Sequence, residues 1–125
     1  MNDDCVFCKI VSGEFSSYKI YEDEDILSFL SIEPDSFGHS LVIPKKHYIT
    51  YEDIPLELLD KLNNVGKIVY EKLQKNLKCD GIKLVQNNGI IQEVKHFHLH
   101  LIPVYTTEKE DKTNLKEVLN AINAE

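Results

Sequence analysis

The segment that could do chemistry is Val94-Lys95-His96-Phe97-His98-Leu99-His100-Leu101-Ile102. Along an extended strand successive side chains point to opposite faces, so Phe97, Leu99 and Leu101 make one apolar face while His96, His98 and His100 share the other. Successive imidazoles then stand about 6.6 Å apart along the strand. Three titratable rings in a row give no folding advantage that Thr or Val would not give better, because each buried ring demands hydrogen-bond partners. The row therefore reads as a functional device. Imidazole acts as nucleophile, proton carrier or metal ligand near neutrality, and the row alone leaves all three open.

A second constellation is Cys5-x-x-Cys8 near the N-terminus. A structural zinc takes four Cys or His ligands, so these two thiols need two more, drawn mainly from His39, His47, His96, His98 and His100. A redox pair is the competing reading, weakened by the lack of a thioredoxin-like βαβ context. With Cys79 standing alone, three cysteines cannot all pair within the chain, which argues against a disulfide scaffold.

The elements that must position these groups follow from periodicity. Cys5 to Ile10 reads as a short helical turn, ended by Gly13. Tyr18–Tyr21 and Ile26–Leu30 flank the acidic turn Glu22-Asp23-Glu24-Asp25 as a hairpin. Ser40–Ile43 reads as a strand that Pro44 ends, delivering Lys45, Lys46 and His47 at its edge. One long helix spans Ile54 to Leu77, with Asp53 as candidate cap, and its stripe of Leu58, Leu62, Val65, Val69 and Leu73 needs cover from the chain's own sheet or from a second subunit. Gly66 inside that helix costs about 1 kcal/mol relative to Ala, which close packing would explain. A strand over 82–86, a turn at Asn87-Asn88-Gly89, the histidine strand and a helix around Thr113 to Ala124 complete the inventory. The result is an α+β domain with an antiparallel sheet of about five strands, one long helix, and short N-terminal and C-terminal helices.

At 125 residues and 42% hydrophobic content the chain reads as one domain over 1–125. The acidic start, Met1-Asn2-Asp3-Asp4, does not resemble a signal peptide, and no apolar run is long enough for a membrane span, so a cytoplasmic protein is expected. A net charge of −7 without a basic, aromatic-interleaved block speaks against a nucleic-acid polymer as partner, although a small anion at a local site remains allowed.

Gly38-His39-Ser40-Leu41-Val42-Ile43-Pro44-Lys45-Lys46-His47, together with Gln92-x-Val94-x-His96-x-His98-x-His100 and the N-terminal Cys5-x-x-Cys8-Lys9-Ile10, resembles the histidine triad (HIT) superfamily, in its Hint-like bacterial branch, over about residues 5–103. The resemblance implies that His98 attacks the α-phosphorus of a nucleotide to form a covalent nucleotidyl-histidine, with His100 stabilising the charge on a phosphoryl oxygen. It implies a purine nucleoside phosphoramidate as substrate, with a dinucleoside polyphosphate or a non-catalytic binding module as alternatives. It implies one structural zinc per chain on Cys5, Cys8, His47 and His96, and a homodimer formed by joining two sheets, with the long helix at the interface. Nucleotide contacts are implied for Asn87, Gln92, Ile32 and Phe29, while His39 reads as structural. Ser31 stands where the family pattern has a ribose-binding aspartate. The loop Gly89-Ile90-Ile91-Gln92 is two residues shorter than that pattern, and Glu93 replaces the serine found after the glutamine in animal relatives.

Overall fold

The computed structural model describes residues 4–124, so residues 1–3 of the acidic N-terminal run and the last residue lie outside it. The elements run α1 (Val6–Val11), β1 (Lys19–Glu22), β2 (Ile26–Leu30), β3 (Ser40–Pro44), α2 (Leu56–Leu77), β4 (Gly81–Val85), β5 (Leu99–Val104) and α3 (Leu115–Ile122), with a 3₁₀ turn at Gly89–Ile91. The strands form a five-stranded antiparallel sheet in the order β1-β2-β3-β5-β4. This is the expected α+β architecture.

The acidic hairpin forms because Asp23 accepts hydrogen bonds from the backbone N–H groups of Asp25 and Ile26, both at 2.8 Å, closing an Asx turn. β2 and β3 are buried along their whole lengths because both faces of the sheet centre are covered. Ile26, Leu30, Val42, Phe97 and Leu101 pack with Leu62, Val65, Val69 and Leu73 of α2 and with Val118 and Ile122 of α3. The stripe on α2 is thus covered by the chain's own sheet, each fully buried side chain contributing about 1.5–3 kcal/mol. On the opposite face Leu27, Phe29, Leu41 and Ile43 pack with Cys5, Phe7, Cys8 and Ile10 of the α1 segment. That second face is also the one toward which His98 turns, with its ring against Phe7.

One glycine answers to packing. Gly38 has φ +95°, and a Cβ there would collide with Leu77 Cδ1, so the turn entering β3 passes too close to the end of α2 for any side chain. A Cβ on Gly66 would sit 3.4 Å from Leu99 Cδ2, an ordinary contact, so this helix turn faces β5 but packing alone does not demand glycine there.

Four boundaries differ from the sequence reading. α2 begins at Leu56 with Pro55 in the cap position, because the carboxylate of Asp53 is used upstream, accepting from the backbone N–H and hydroxyl of Thr50. Pro44 is the last residue of β3, opposite Ile26, and does not stand outside it. Asn87-Asn88-Gly89 does not close a two-residue hairpin; Asn88 Oδ1 accepts from Tyr51 N–H, and the chain continues through the 3₁₀ turn before reaching β5. The histidine strand is shorter than expected. Its ladder starts at Leu99, where Val42 and then Val85 provide partners, so His96 and His98 lie on the lead-in. Among the described residues no helix is long and apolar enough to cross a membrane.

Candidate active site

Although the ladder begins late, alternation persists through the lead-in. Phe97 is buried in the α2 core, and its N–H donates to Tyr48 carbonyl at 2.6 Å, holding the segment extended. The histidines therefore stay on the α1 side, and two chemically distinct groups form there.

The first group is the cluster of Cys5, Cys8, His47 and His96, whose ligand atoms all lie within 4.8 Å of one another. His96 Nδ1 is 3.3 Å from Cys5 Sγ and 3.6 Å from Cys8 Sγ, and His47 Nδ1 is 3.3 Å from Cys8 Sγ. Zinc bonded to sulfur at about 2.3 Å and nitrogen at about 2.0 Å in a tetrahedron would place N and S about 3.6 Å apart. The donor set and its spacing fit that ion. His96 is also in the right tautomer, since its Nε2–H donates to the Pro44 carbonyl at 2.7 Å and leaves the Nδ1 lone pair toward the thiols. Burial pushes His96 down to about 4 and pushes the Cys5 thiol up. A neutral ring suits metal ligation, whereas the thiol needs a cation beside it to ionise. The helix α1 begins here because Cys5 Sγ also caps it, accepting from Cys8 N–H.

The second group is His39, His98 and His100, in a cavity of about 340 Å³ whose wall also includes Ser31, Glu33, Asp35, Lys83, Asn87 and Glu93. His98 is 5% exposed. Its Nδ1–H donates to the His96 carbonyl at 2.7 Å, a bond that fixes the tautomer and leaves Nε2 with an unprotonated lone pair. Burial lowers its pKa below the usual value, with Glu93 opposing, so the ring is neutral at pH 7. His100 packs against it with ring centroids 4.7 Å apart.

His39, read from the sequence as structural, lies in this group and bonds to His100. Asp35 N–H donates to His39 Nδ1 at 2.9 Å, so the His39 proton must sit on Nε2. That nitrogen lies 2.9 Å from His100 Nδ1 and donates to it, which places the His100 proton on Nε2. Two hydrogen bonds starting from a backbone amide thus set His100 as a donor. Burial, followed by the neighbouring rings of His98 and His39, holds His100 down at about 4. A signal for His39 existed at the entry to β3, where His39 shares the parity of Leu41 and Ile43, but using it required the pairing of Leu41 with His100.

Other expected contact residues are distributed differently. Asn87 and Ser31 line the cavity, the Ser31 hydroxyl accepts from Glu33 N–H at 3.3 Å, and Glu33 and Asp35 line the same wall. Phe29 is buried edge-on to Phe7, and Ile32 is 77% exposed; neither is on the cavity wall. Gln92 is buried as a brace, accepting from Gly89 N–H and donating to the Ile49 carbonyl, and so shapes the loop without lining the cavity.

Comparison with known proteins agrees with this arrangement. The model of the HIT domain matches residues 12–107. A HIT-like protein of Methanocaldococcus jannaschii is 42% identical over 94% of this chain and 98% of its own length. The adenosine 5′-monophosphoramidase of Saccharomyces cerevisiae is 41% identical over 89% of this chain and 66% of its own. Among solved structures, a zinc-bound histidine triad family protein from Mycobacterium smegmatis superposes with a TM-score of 0.83 at 35% identity, covering 95% of this chain and 92% of that one. With a HIT-domain match over residues 12–107 and a relative 42% identical over nearly its whole length, the chain belongs to the HIT family.

Proposed function

We propose that this protein hydrolyses purine nucleoside phosphoramidates at the α-phosphorus through a covalent intermediate on His98. The observation that carries this reading is the bond from His98 Nδ1–H to the His96 carbonyl, which leaves Nε2 as an unprotonated nucleophile in a cavity shared with a proton-bearing His100 Nε2. In the first step a bond forms between Nε2 and phosphorus while the P–N bond breaks. The departing nitrogen keeps the electron pair and is protonated from solvent. The carbonyl of His96 stabilises the positive charge that the ring acquires. His100 Nε2–H donates to a phosphoryl oxygen as negative charge builds on it. Water then attacks phosphorus, the P–Nε2 bond breaks, and a nucleoside 5′-monophosphate and a proton are released. The similarity to a yeast adenosine 5′-monophosphoramidase supports this substrate class over a dinucleoside polyphosphate.

Cys5, Cys8, His47 and His96 would hold one zinc per chain, a reading supported by their spacing and by the zinc-bound relative. The ion would supply a crosslink between the N-terminus, the segment after β3 and the lead-in to β5, with no part in the phosphorus chemistry. A homodimer belongs to the same proposal. Tyr70 and Leu84, 38% and 58% exposed, flank a shallow apolar hollow over Gly66 and Leu99, a surface suited to a second copy.

The test is hydrolysis of adenosine 5′-phosphoramidate by the wild-type chain and by His98→Ala. Turnover by the first, none by the second, and equal melting temperature and metal content in both are expected. Turnover that survives in His98→Ala would refute the mechanism, and bound nucleotide without turnover in either protein would favour a binding module.

A further inference from the structure

The charges around the histidine cavity bear on what leaves the phosphorus. Its wall contains three carboxylates, Glu33, Asp35 and Glu93, and one lysine, Lys83. The carboxylates stand at two ends. Leu30 pairs with Ser40 and Ser40 with Leu101, so the segment carrying Glu33 and Asp35 follows β2 beyond the level of His100. Glu93 precedes the triad and lines the same cavity as His98, on the side from which the chain enters the triad. Glu93 makes no ion pair among the described residues. The nearest cation in sequence, Lys95, is committed elsewhere, its Nζ donating to the carbonyls of Gly89 and Gln92 at 2.8 and 3.0 Å. Glu93 is thus an exposed carboxylate on the wall beside His98, with no ion pair among the described residues.

A nucleotide has two parts to place on either side of its phosphorus. The nucleoside carries a ribose diol, which carboxylates recognise by accepting its hydroxyl protons, as acidic residues do in dinucleotide sites. Glu33, held next to Ser31, offers that acceptor at the far end of the cavity. The end that remains for the leaving group is the one Glu93 commands. A polyphosphate leaving group would bring several negative charges against that carboxylate, whereas a protonated amine would be drawn to it.

We infer that Glu93 selects the leaving group by charge, so that the substrates are phosphoramidates of amines carrying a second, protonated nitrogen. The inference rests on the hydrolase reading above and narrows it. The step is unchanged: the P–N bond breaks at the amide nitrogen, and the distant ammonium neither gains nor loses a proton.

Three adenosine phosphoramidates of similar length test it, made from 1,5-diaminopentane, hexylamine and 6-aminohexanoate, so that the far end is cationic, neutral or anionic. The wild-type chain is expected to show kcat/KM about fivefold higher for the cationic than for the neutral amide, the scale of one exposed charge pair. The anionic amide should fall below the neutral one by a similar factor, and the spread should narrow at high salt. Glu93→Gln should collapse the spread, and Glu93→Lys should reverse its order. Equal kcat/KM for all three amides in the wild type, or a spread that survives in Glu93→Gln, overturns the inference while leaving the hydrolase reading intact. If none of the amides turns over, that reading fails. Their dissociation constants measured by calorimetry then decide the inference on the same pattern: the cationic amide bound tightest and the order lost in Glu93→Gln support it, and equal affinities overturn it.

Discussion

His39→Leu is the substitution that most directly probes how the cavity is set. It removes a 2.9 Å hydrogen bond into His100 Nδ1 and leaves that half-buried acceptor, as well as the Asp35 amide, without its protein partner. An unsatisfied buried polar group costs about 1–3 kcal/mol. If that cost falls on the transition state, where His100 must present Nε2–H, kcat drops by roughly 5- to 150-fold. His100→Ala deletes the donor itself and should cost about 100- to 1,000-fold, as loss of an oxyanion donor does. Because His39 acts as a positioning residue through His100, the double variant should be no slower than His100→Ala alone, a non-additivity that independent residues would not show. His39→Gln, which keeps a donor on its side-chain amide, should recover most of the loss. Steady-state kinetics on adenosine 5′-phosphoramidate, with melting temperatures to confirm folding, reads all four proteins. A His39→Leu enzyme within twofold of wild type, or losses that multiply in the double variant, would refute the tautomer argument.

Two further outcomes follow from the same geometry. Metal analysis should find one zinc per chain, and its removal by a chelator should lower the melting temperature by about 5 °C or more and slow turnover without abolishing it while the protein remains folded; two zinc ions per chain would contradict the division between the proposed metal cluster and the proposed catalytic pair. Stability should also depend on pH through His100: its folded pKa of about 4 lies below the unfolded value of about 6.5, so the unfolded chain takes up a proton first as pH falls, and stability declines from about pH 6.5 until it levels near pH 4. Discounted for the partial exposure of the ring, the loss is about 1–2 kcal/mol. Urea midpoints at pH 7.5 and 5.0 should differ less in His100→Gln than in the wild type, and an equal difference in both would show that another group is responsible.

Much of this arrangement is legible in the residues because the chain separates its periods cleanly. The i, i+3, i+4 stripe of α2 and the strict alternation around His98 have one physical reading each, and both faces they define are found where expected. What is not legible is pairing. The position at which β5 joins the ladder depends on where β4 ends and on β5 parting from β3 at Val42 although β3 runs on to Pro44, and neither is written in the segment 94–102. The role of His39 depends on register in the same way, since its parity is visible but its neighbour across the sheet is not. Phe29 and Ile32 show the complementary problem: an aromatic and an aliphatic residue next to a site are consistent with a pocket wall or with packing, and only three-dimensional placement separates a buried core ring from a 77% exposed side chain.

His96 links the proposed metal cluster to the proposed catalytic pair. Three of its groups are used at once: Nδ1 faces the thiols, Nε2–H holds the Pro44 carbonyl, and its own carbonyl accepts from His98 Nδ1–H. The first two fix the ring and the backbone on which the third depends. A lead-in that lies beyond the sheet ladder has few hydrogen bonds of its own to keep it in place, and Phe97 N–H to Tyr48 is the main backbone one. Rigidity at His98 must therefore come from side chains, and the Cys5, Cys8 and His47 cluster supplies it from two other parts of the chain. The zinc proposed there and the tautomer of the nucleophile are coupled through one residue, without the ion approaching the phosphorus. On this account a variant that loosens His96 should slow the formation of the nucleotidyl-histidine more than it weakens nucleotide binding, because what it disturbs is the direction of one lone pair and not the walls of the cavity.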